Sequence, residues 1–447
     1  MPESVSLRPE KAGNCERAEY FYATTMLKGT GLLQVIIRVL LSGVMARIAQ
    51  FLAAAVIARQ IDPEGYGTYI YCMGTALLLA QVTSLGWHPL STIKIPELRV
   101  KRNHGALAGF LFASNWVTAI SALTFVIIAI LVSILDIISE NLRIPFIIAS
   151  VLAVPMSALL MKKHQLIGFK KAALGIFFAE TLIPGMTLFY ALFVGYKNFD
   201  EAIAVLSIAT ILCAALVIRV VRQIFREWIS NEKMVTDYKG WILSGLPLFI
   251  GTSSKLIMAR MDVLMLAPLS TFGETGLFGA AFRLTYLMTF PQAVLLSVVT
   301  PLMSECFSNK KNAEGIKYFY MSFLFSIITA IPCAALLIGY DVEILNFVYG
   351  EKYILAKETL ALLAIAQVIG ALSIPLSCLL MTAGRSNSYG VVGFIGLVLN
   401  ITLNFSLIPS MAGSGAAISS ILSNSTILMF QSYLAFRLIK SYKIARS

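Results

Sequence analysis

The sequence predicts an all-α polytopic membrane protein of about twelve transmembrane helices, in two parallel six-helix lobes around a central cavity. Three observations predict it. First, 58% of the 447 residues are hydrophobic and only 13% are charged, and the mean hydropathy is +0.81. Soluble domains carry about 25% charged residues, so a chain with half that fraction must turn much of its surface to hydrocarbon. Second, the basic residues gather on alternate loops. Third, the two halves echo each other at a fixed offset.

At ~20 residues per span, the chain has room for about twelve to fourteen spans and no large extramembrane domain. Residues 1–31 read as a mobile cytoplasmic tail, because Glu3, Glu10, Glu16 and Glu19 alternate with Arg8, Lys11, Arg17 and Lys28 and no cleavable apolar core follows. Apolar runs then mark spans near 34–58, 67–91, 106–134, 144–166, 172–195 and 202–222, an N-lobe over 32–222. A basic linker over 223–240 follows on the cytoplasmic side. The C-lobe over 241–438 holds spans near 241–268, 275–303, 318–339, 356–382, 388–408 and 414–437, and 439–447 is a cytoplasmic C-terminal tail.

With the N-terminus inside, the tails and inner loops hold 25 of the 35 Lys and Arg, whereas the outer loops hold four: Arg143, Lys197, Lys352 and Lys357. That asymmetry orients a chain of the cell inner membrane with both termini cytoplasmic. It also accounts for the net charge of +12 without any nucleic acid. Both lobes therefore enter from the same side. Pro63-Glu64-Gly65-Tyr66-Gly67-Thr68-Tyr69 follows the first span and Phe272-Gly273-Glu274-Thr275-Gly276-Leu277-Phe278 the seventh. Gly67 aligns with Gly276 and Tyr69 with Phe278, at an offset of 209 residues. A parallel repeat of this kind is a known transporter plan.

The six cysteines lack metal spacing and read as packing residues, and His88, His104 and His164 form no cluster. No cofactor or metal is implied. Charges inside spans are more telling, because one near mid-bilayer costs about 2.5 kcal/mol or more. Arg38 can snorkel to the inner interface and Arg59 to the outer one. Arg47 is near the middle of span 1, Glu180 lies in span 5, Lys255, Arg260 and Asp262 lie in span 7, and Arg283 lies in span 8. Lys255 and Asp262 share a helix face while Arg260 points about 160° from Asp262, as suits a helix lining a wet cavity.

Cations Arg47, Lys255, Arg260 and Arg283 outnumber the anions, which implies an anionic, phosphate- or carboxylate-bearing ligand. Asp262 and Glu180 are the candidates for coupling to H+ or Na+. Similar depth on adjacent helices predicts an Asp262–Arg283 contact, either functional or a helix-pinning ion pair. Glu180 precedes Pro184 by one turn, at an expected kink. Pro155, Pro247, Pro291, Pro332 and Pro375 also fall inside spans. Asn400 and Asn404, one turn apart on span 11, read as interhelical hydrogen-bonding groups.

Leu246-Pro247-Leu248-Phe249, Arg260 through Leu266, and Gly276 through Arg283 resemble the polysaccharide transport branch of the multidrug/oligosaccharidyl-lipid/polysaccharide exporter superfamily. So do Tyr349-Gly350-Glu351-Lys352-Tyr353, Ala383-Gly384-Arg385, Leu399 through Pro409, and Gly415-Ala416-Ala417-Ile418. In the first half Ala58-Arg59, Asp62 through Gly67, and Ser84-Leu85-Gly86 fit the same pattern. The resemblance implies a Wzx-type O-antigen or polysaccharide-repeat flippase. Such a protein turns a polyprenyl-diphosphate-linked oligosaccharide from the inner to the outer leaflet. Its implied partners are that substrate, membrane lipids and polysaccharide polymerase machinery. Peptidoglycan-precursor flippases and drug or ion antiporters of the superfamily are the alternatives. A membrane enzyme of glycan polymerisation or transfer is the remaining one, but every outer loop is short and the close acidic pairs, such as Asp62/Glu64 and Asp341/Glu343, sit in loops. The chain is therefore expected not to be an enzyme.

Overall fold

The computed structural model describes residues 30–226 and 233–444, apart from the side chains at 30–36, 246–256, 259, 297, 386, 443 and 444. Residues 1–29 of the expected N-terminal tail, residues 227–232 of the linker and the last three residues lie outside it.

Among the described residues the protein is entirely helical. The first half holds α1 (Thr30–Gln60), α2 (Pro63–Val82), α3 (Trp87–Val100), α4 (His104–Ile134) and α5 (Glu140–Gly168). The short α6 (Ala172–Ile176) passes through a π-helical turn (Phe177–Thr181) into α7 (Leu182–Phe193), and α8 (Phe199–Arg226) follows. The second half holds α9 (Tyr238–Leu269), α10 (Phe272–Tyr286), α11 (Phe290–Ser308), α12 (Asn312–Gly339) and α13 (Asp341–Tyr349). A 3-10 segment (Glu351–Ala356) leads into α14 (Lys357–Thr382), and α15 (Ser386–Ile444) closes the chain.

Local chemistry sets several starts. The Asn103 side chain accepts from the Ala106 N–H at 2.9 Å, Asp237 from Gly240 at 3.0 Å and Thr271 from Glu274 at 3.1 Å, so α4, α9 and α10 each begin with a side-chain cap. Pro63 begins α2, where its missing N–H has no role.

Among the described residues, eight helices are long and apolar enough to cross a membrane, or ten if each of two bent pairs is one span. That count takes α15 once, although it doubles back on itself, and does not include α9. The bent pairs are α2–α3, turned by 47°, and the 272–308 segment, turned by 44°. The first bend falls at Leu85 (φ 46) and Gly86 (φ 88), where glycine takes a left-handed backbone at little cost. It carries span 2 on to Val100, past its expected end.

At ~1.5 Å per residue the 59 residues of α15 would measure ~88 Å, far beyond a ~30 Å hydrocarbon core. The helix breaks at Ala412 (φ 47, ψ −127) and doubles back. Asn404 and Ser420, each eight residues from the break, reach the same carboxylate, and a Cβ on Gly396 would strike Ile427. These pairings define two antiparallel arms.

The most apolar stretch of α4 has a mean hydropathy of 2.7, yet only 22% of it is buried within the protein. Apolar surface on that scale needs hydrocarbon as its solvent. The halves meet along α2 and α10, which pack lengthwise. A Cβ on Gly67 would overlap the Phe272 carbonyl, and one on Gly276 would overlap the Pro63 carbonyl. Pro63 and Phe272 are equivalent at the 209-residue offset, as are Gly67 and Gly276, so the contact is reciprocal. Ile70 and Gly279, the next equivalent pair, also touch. The local twofold of the repeat passes through this crossing.

The halves also meet at the opposite end, where Gly86 abuts the Gly245 carbonyl and Trp241 packs edge-on against Trp87 (6.0 Å) and Phe110 (5.3 Å). There the Val235 N–H donates to the Gly105 carbonyl at 3.1 Å. The first end is called the crossing face and the second the linker face.

Candidate functional site

Three helices bring three arginines to one depth. Arg47 stands 13 residues from the Gln60 end of α1, Arg260 nine from the Leu269 end of α9, and Arg283 eleven from the Phe272 start of α10. At ~1.5 Å per residue these are ~20, ~14 and ~17 Å from the crossing face, near the middle of a ~30 Å core. Arg260 feels the charges of Arg283 and Arg47 and also lies near Tyr286. The Arg47 guanidinium carbon sits 5.3 Å from the centre of the Tyr286 ring, a cation–π contact between the halves. Arg283 faces Tyr66, Tyr69 and Tyr349. All three arginines are half-buried, and among the described residues none has a carboxylate within 4.0 Å. Lys255 is on α9, but its side chain lies outside the described residues.

Two cavities lie apart from this cluster. An apolar groove of about 420 Å³ runs between α7 and α8, past Leu182, Gly185, Met186, Phe189, Val205 and Ile208. A smaller one of about 210 Å³ opens beside Glu64, Asn141 and Thr271. The arginines line neither.

Asp262 does not meet Arg283, contrary to the expected pairing. Its Oδ1 accepts from Asn400 Nδ2 at 3.0 Å and Asn404 Nδ2 at 2.9 Å, and its Oδ2 accepts a short hydrogen bond from the Ser420 hydroxyl. Asp262 is only 5% exposed, and Asn400 and Asn404 are fully buried. The physical reason is rotational. α9 packs along α15, and that turns Asp262 toward the hairpin and away from α10. The Asn404 Oδ1 is buried without a hydrogen-bond partner. The site therefore holds one carboxylate, a hydroxyl and an amide oxygen without a hydrogen-bond partner, drawn from three helical arms.

Glu180 sits in the π-helical turn, and its backbone carbonyl accepts from Gln50 Nε2 at 3.1 Å. Its carboxylate is paired with Lys163 Nζ at 2.9 Å, both side chains being partly exposed, and it also feels Arg47. The kink expected near Pro184 thus takes the form of a π turn just before that proline, a form common at functional sites.

Sequence reasoning missed what surrounds it. Lys162 and Lys163 lie inside α5. Lys162 is buried, donating to Asn115 Oδ1 at 2.8 Å and Gln165 Oε1 at 3.1 Å. His88 and His164 stack at 5.0 Å with planes 3° apart, so the expectation that the histidines stay separate is corrected. The spacing within one helix gave no signal for this pair, because it joins α3 to α5.

Two helical halves around a reciprocal contact, with arginines at mid-depth that have no carboxylate beside them among the described residues, define a multi-pass membrane protein of transporter architecture. The chain belongs to the polysaccharide biosynthesis protein family, whose model matches residues 32–307. It is 27% identical over 164 residues to the probable low-salt glycan biosynthesis flippase Agl15 of Haloferax volcanii, across 36% of this chain and 34% of that protein. It is 22% identical over 258 residues to the uncharacterized membrane protein MJ1068 of Methanocaldococcus jannaschii, across 57% and 50%. The chain thus spans half or less of the curated relatives it matches.

Among solved structures, it matches the lipid II flippase MurJ in an inward closed conformation with a TM-score of 0.69 at 15% identity, over 89% of this chain and 87% of that one. An inward-facing MATE family multidrug resistance transporter of the MOP superfamily matches at 0.64 and 14%, over 90% and 96%. A MOP superfamily transporter from Pyrococcus furiosus, described as having a binding pocket of reverse polarity, matches at 0.61 and 13%, over 92% and 96%. These likenesses establish the two-lobe fold.

Proposed function

We propose that the protein is a flippase that carries a polyprenyl-diphosphate-linked oligosaccharide, an O-antigen, capsule or exopolysaccharide repeat unit, from the inner to the outer leaflet of the cytoplasmic membrane. The carrying observation is that Arg47 of the first half and Arg260 and Arg283 of the second come together at mid-depth with no carboxylate beside them among the described residues. Unpaired guanidinium groups at that depth call for a mobile anion or water, and their planar forks match phosphate oxygens. The family membership and the glycan flippase relative support the glycan part of the reading. Cations drawn from both halves also give alternating access a chemical logic, because the anion holds a bridge between lobes that must rock. Coupling to H+ or Na+ falls to Asp262, whose charge is answered only by neutral donors, and secondarily to Glu180.

The test is flipping of a fluorescent short-chain polyprenyl-diphosphate sugar in proteoliposomes, read by quenching from one leaflet. Replacing Arg47, Arg260 or Arg283 with Gln is expected to cut the rate at least tenfold, and a monophosphate or uncharged analogue is expected to flip poorly. Equal flipping of charged and uncharged substrates, or full rates in all three variants, would overturn the reading.

A further inference from the structure

Arg59 ends α1, and its side chain is exposed at the crossing face. Its Nε donates to the Val348 carbonyl at 2.8 Å and its Nη2 to the Phe347 carbonyl. These oxygens belong to the last turn of α13, where helix geometry leaves carbonyls without partners and the dipole favours a cation. Gly350, at φ 95, stops α13 immediately afterwards, so no further turn can take those oxygens up. One guanidinium thus joins the first half of the chain to the second through two backbone acceptors. The seam beneath it is sealed by aromatic rings: Tyr66 of α2 meets Tyr353 of the 3-10 segment edge-on at 6.0 Å, and Tyr353 meets Tyr349 at 5.5 Å. All three are 2% exposed or less; Tyr66 lies beside Arg283, and the Tyr349 and Tyr353 hydroxyls have no hydrogen-bond partner among the described residues. Buried hydroxyls left unanswered at Tyr349 and Tyr353 weaken the seal, so a contact beside it, added to the α2–α10 crossing, decides how firmly this end stays shut.

We infer that Arg59 is a positioning residue, the latch that keeps the two halves closed at the crossing face, and that this face opens by releasing Phe347 and Val348. Opening would also wet the Tyr66, Tyr349 and Tyr353 hydroxyls, which offsets part of the loss. The latch and seal therefore favour one state each, as a two-state gate requires. The inference needs two halves that move and does not need the substrate assigned above.

The experiment measures the gate without transport. Spin labels go on Lys197→Cys and Glu343→Cys, exposed residues on opposite halves of this face, with Cys15 and Cys333 replaced by serine, and pulsed dipolar distances are recorded in nanodiscs. An average membrane hydrogen bond shifts an equilibrium about threefold, so losing both in Arg59→Gln is expected to raise the open-to-closed ratio about tenfold. Arg59→Lys, which keeps the charge but not the fork, is expected to fall between. Labelling of Tyr353→Cys by an impermeant maleimide should rise in the same order. An unchanged distance distribution and unchanged labelling in Arg59→Gln would overturn the latch, whatever the flipping assay reports.

Discussion

Removing the Asp262 carboxylate tests both the hydrogen-bond network and the coupling reading. In Asp262→Ala, Asn400, Asn404 and Ser420 all lose an acceptor at a buried site. Charge-assisted bonds contribute about 1.5–3 kcal/mol each in soluble proteins, which would sum to roughly 5–9 kcal/mol for three. Interhelical bonds in membranes average about 0.6 kcal/mol, because the unfolded state in lipid also finds partners, and three of those give about 2 kcal/mol. Asn404 already donates to the Asn400 Oδ1 at 3.3 Å, so part of the network can close on itself. The expected loss is therefore about 2–4 kcal/mol, measured by equilibrium unfolding in mixed micelles. Asp262→Asn keeps the shape and one acceptor oxygen, and Ser420 can turn to accept from the new amide, so its loss should stay under about 1 kcal/mol. The same variant should abolish any dependence of flipping on a proton or sodium gradient. If Asp262→Asn were as unstable as Asp262→Ala, the network account would fail. If it flipped with unaltered ion dependence, Asp262 would not be the coupling group.

Gly67→Ala and Gly276→Ala should each disrupt the crossing, because either methyl group would overlap a backbone carbonyl that cannot rotate away. Gly185→Ala, with nothing within 4 Å, should fold normally and gain up to about 1 kcal/mol, the helix preference of alanine over glycine. Detergent-solubilised yield and size-exclusion profiles distinguish these outcomes, and normal profiles for both crossing variants would refute the close approach. Lys163→Met should cost about 1–3 kcal/mol by leaving the partly buried Glu180 unpaired, and the double change with Glu180→Gln should recover most of it. A double-mutant cycle with a coupling near zero would show that pair to be incidental.

The spans were legible because hydropathy is local and sums along the chain. The repeat was legible as an offset, and the structure then gave it meaning by placing Gly67 against Phe272 and Gly276 against Pro63. The gap between the last two expected spans, 409–413, held the reversal at Ala412. The partner of Asp262 was not legible. Similar depth favoured Arg283, but depth fixes only one coordinate, and which side of α9 faces which neighbour depends on packing against α15. Arg59 read as an interfacial snorkelling residue, because the carbonyls it reaches lie 288 and 289 residues away. His88 and His164 likewise looked separate until α3 was laid on α5.

The sequence by itself determined that this chain lives in a membrane, that its halves repeat in parallel, and that it buries more positive than negative charge. Each follows from composition or from a period along the chain, and none of the three requires knowing who touches whom. Tertiary structure alone decided which charges are answered: Glu180 by Lys163, Asp262 by neutral amides and a hydroxyl, and the three arginines, among the described residues, by no carboxylate. Helix rotation and neighbour choice set those partnerships, and both are properties of the packed bundle, not of any single segment.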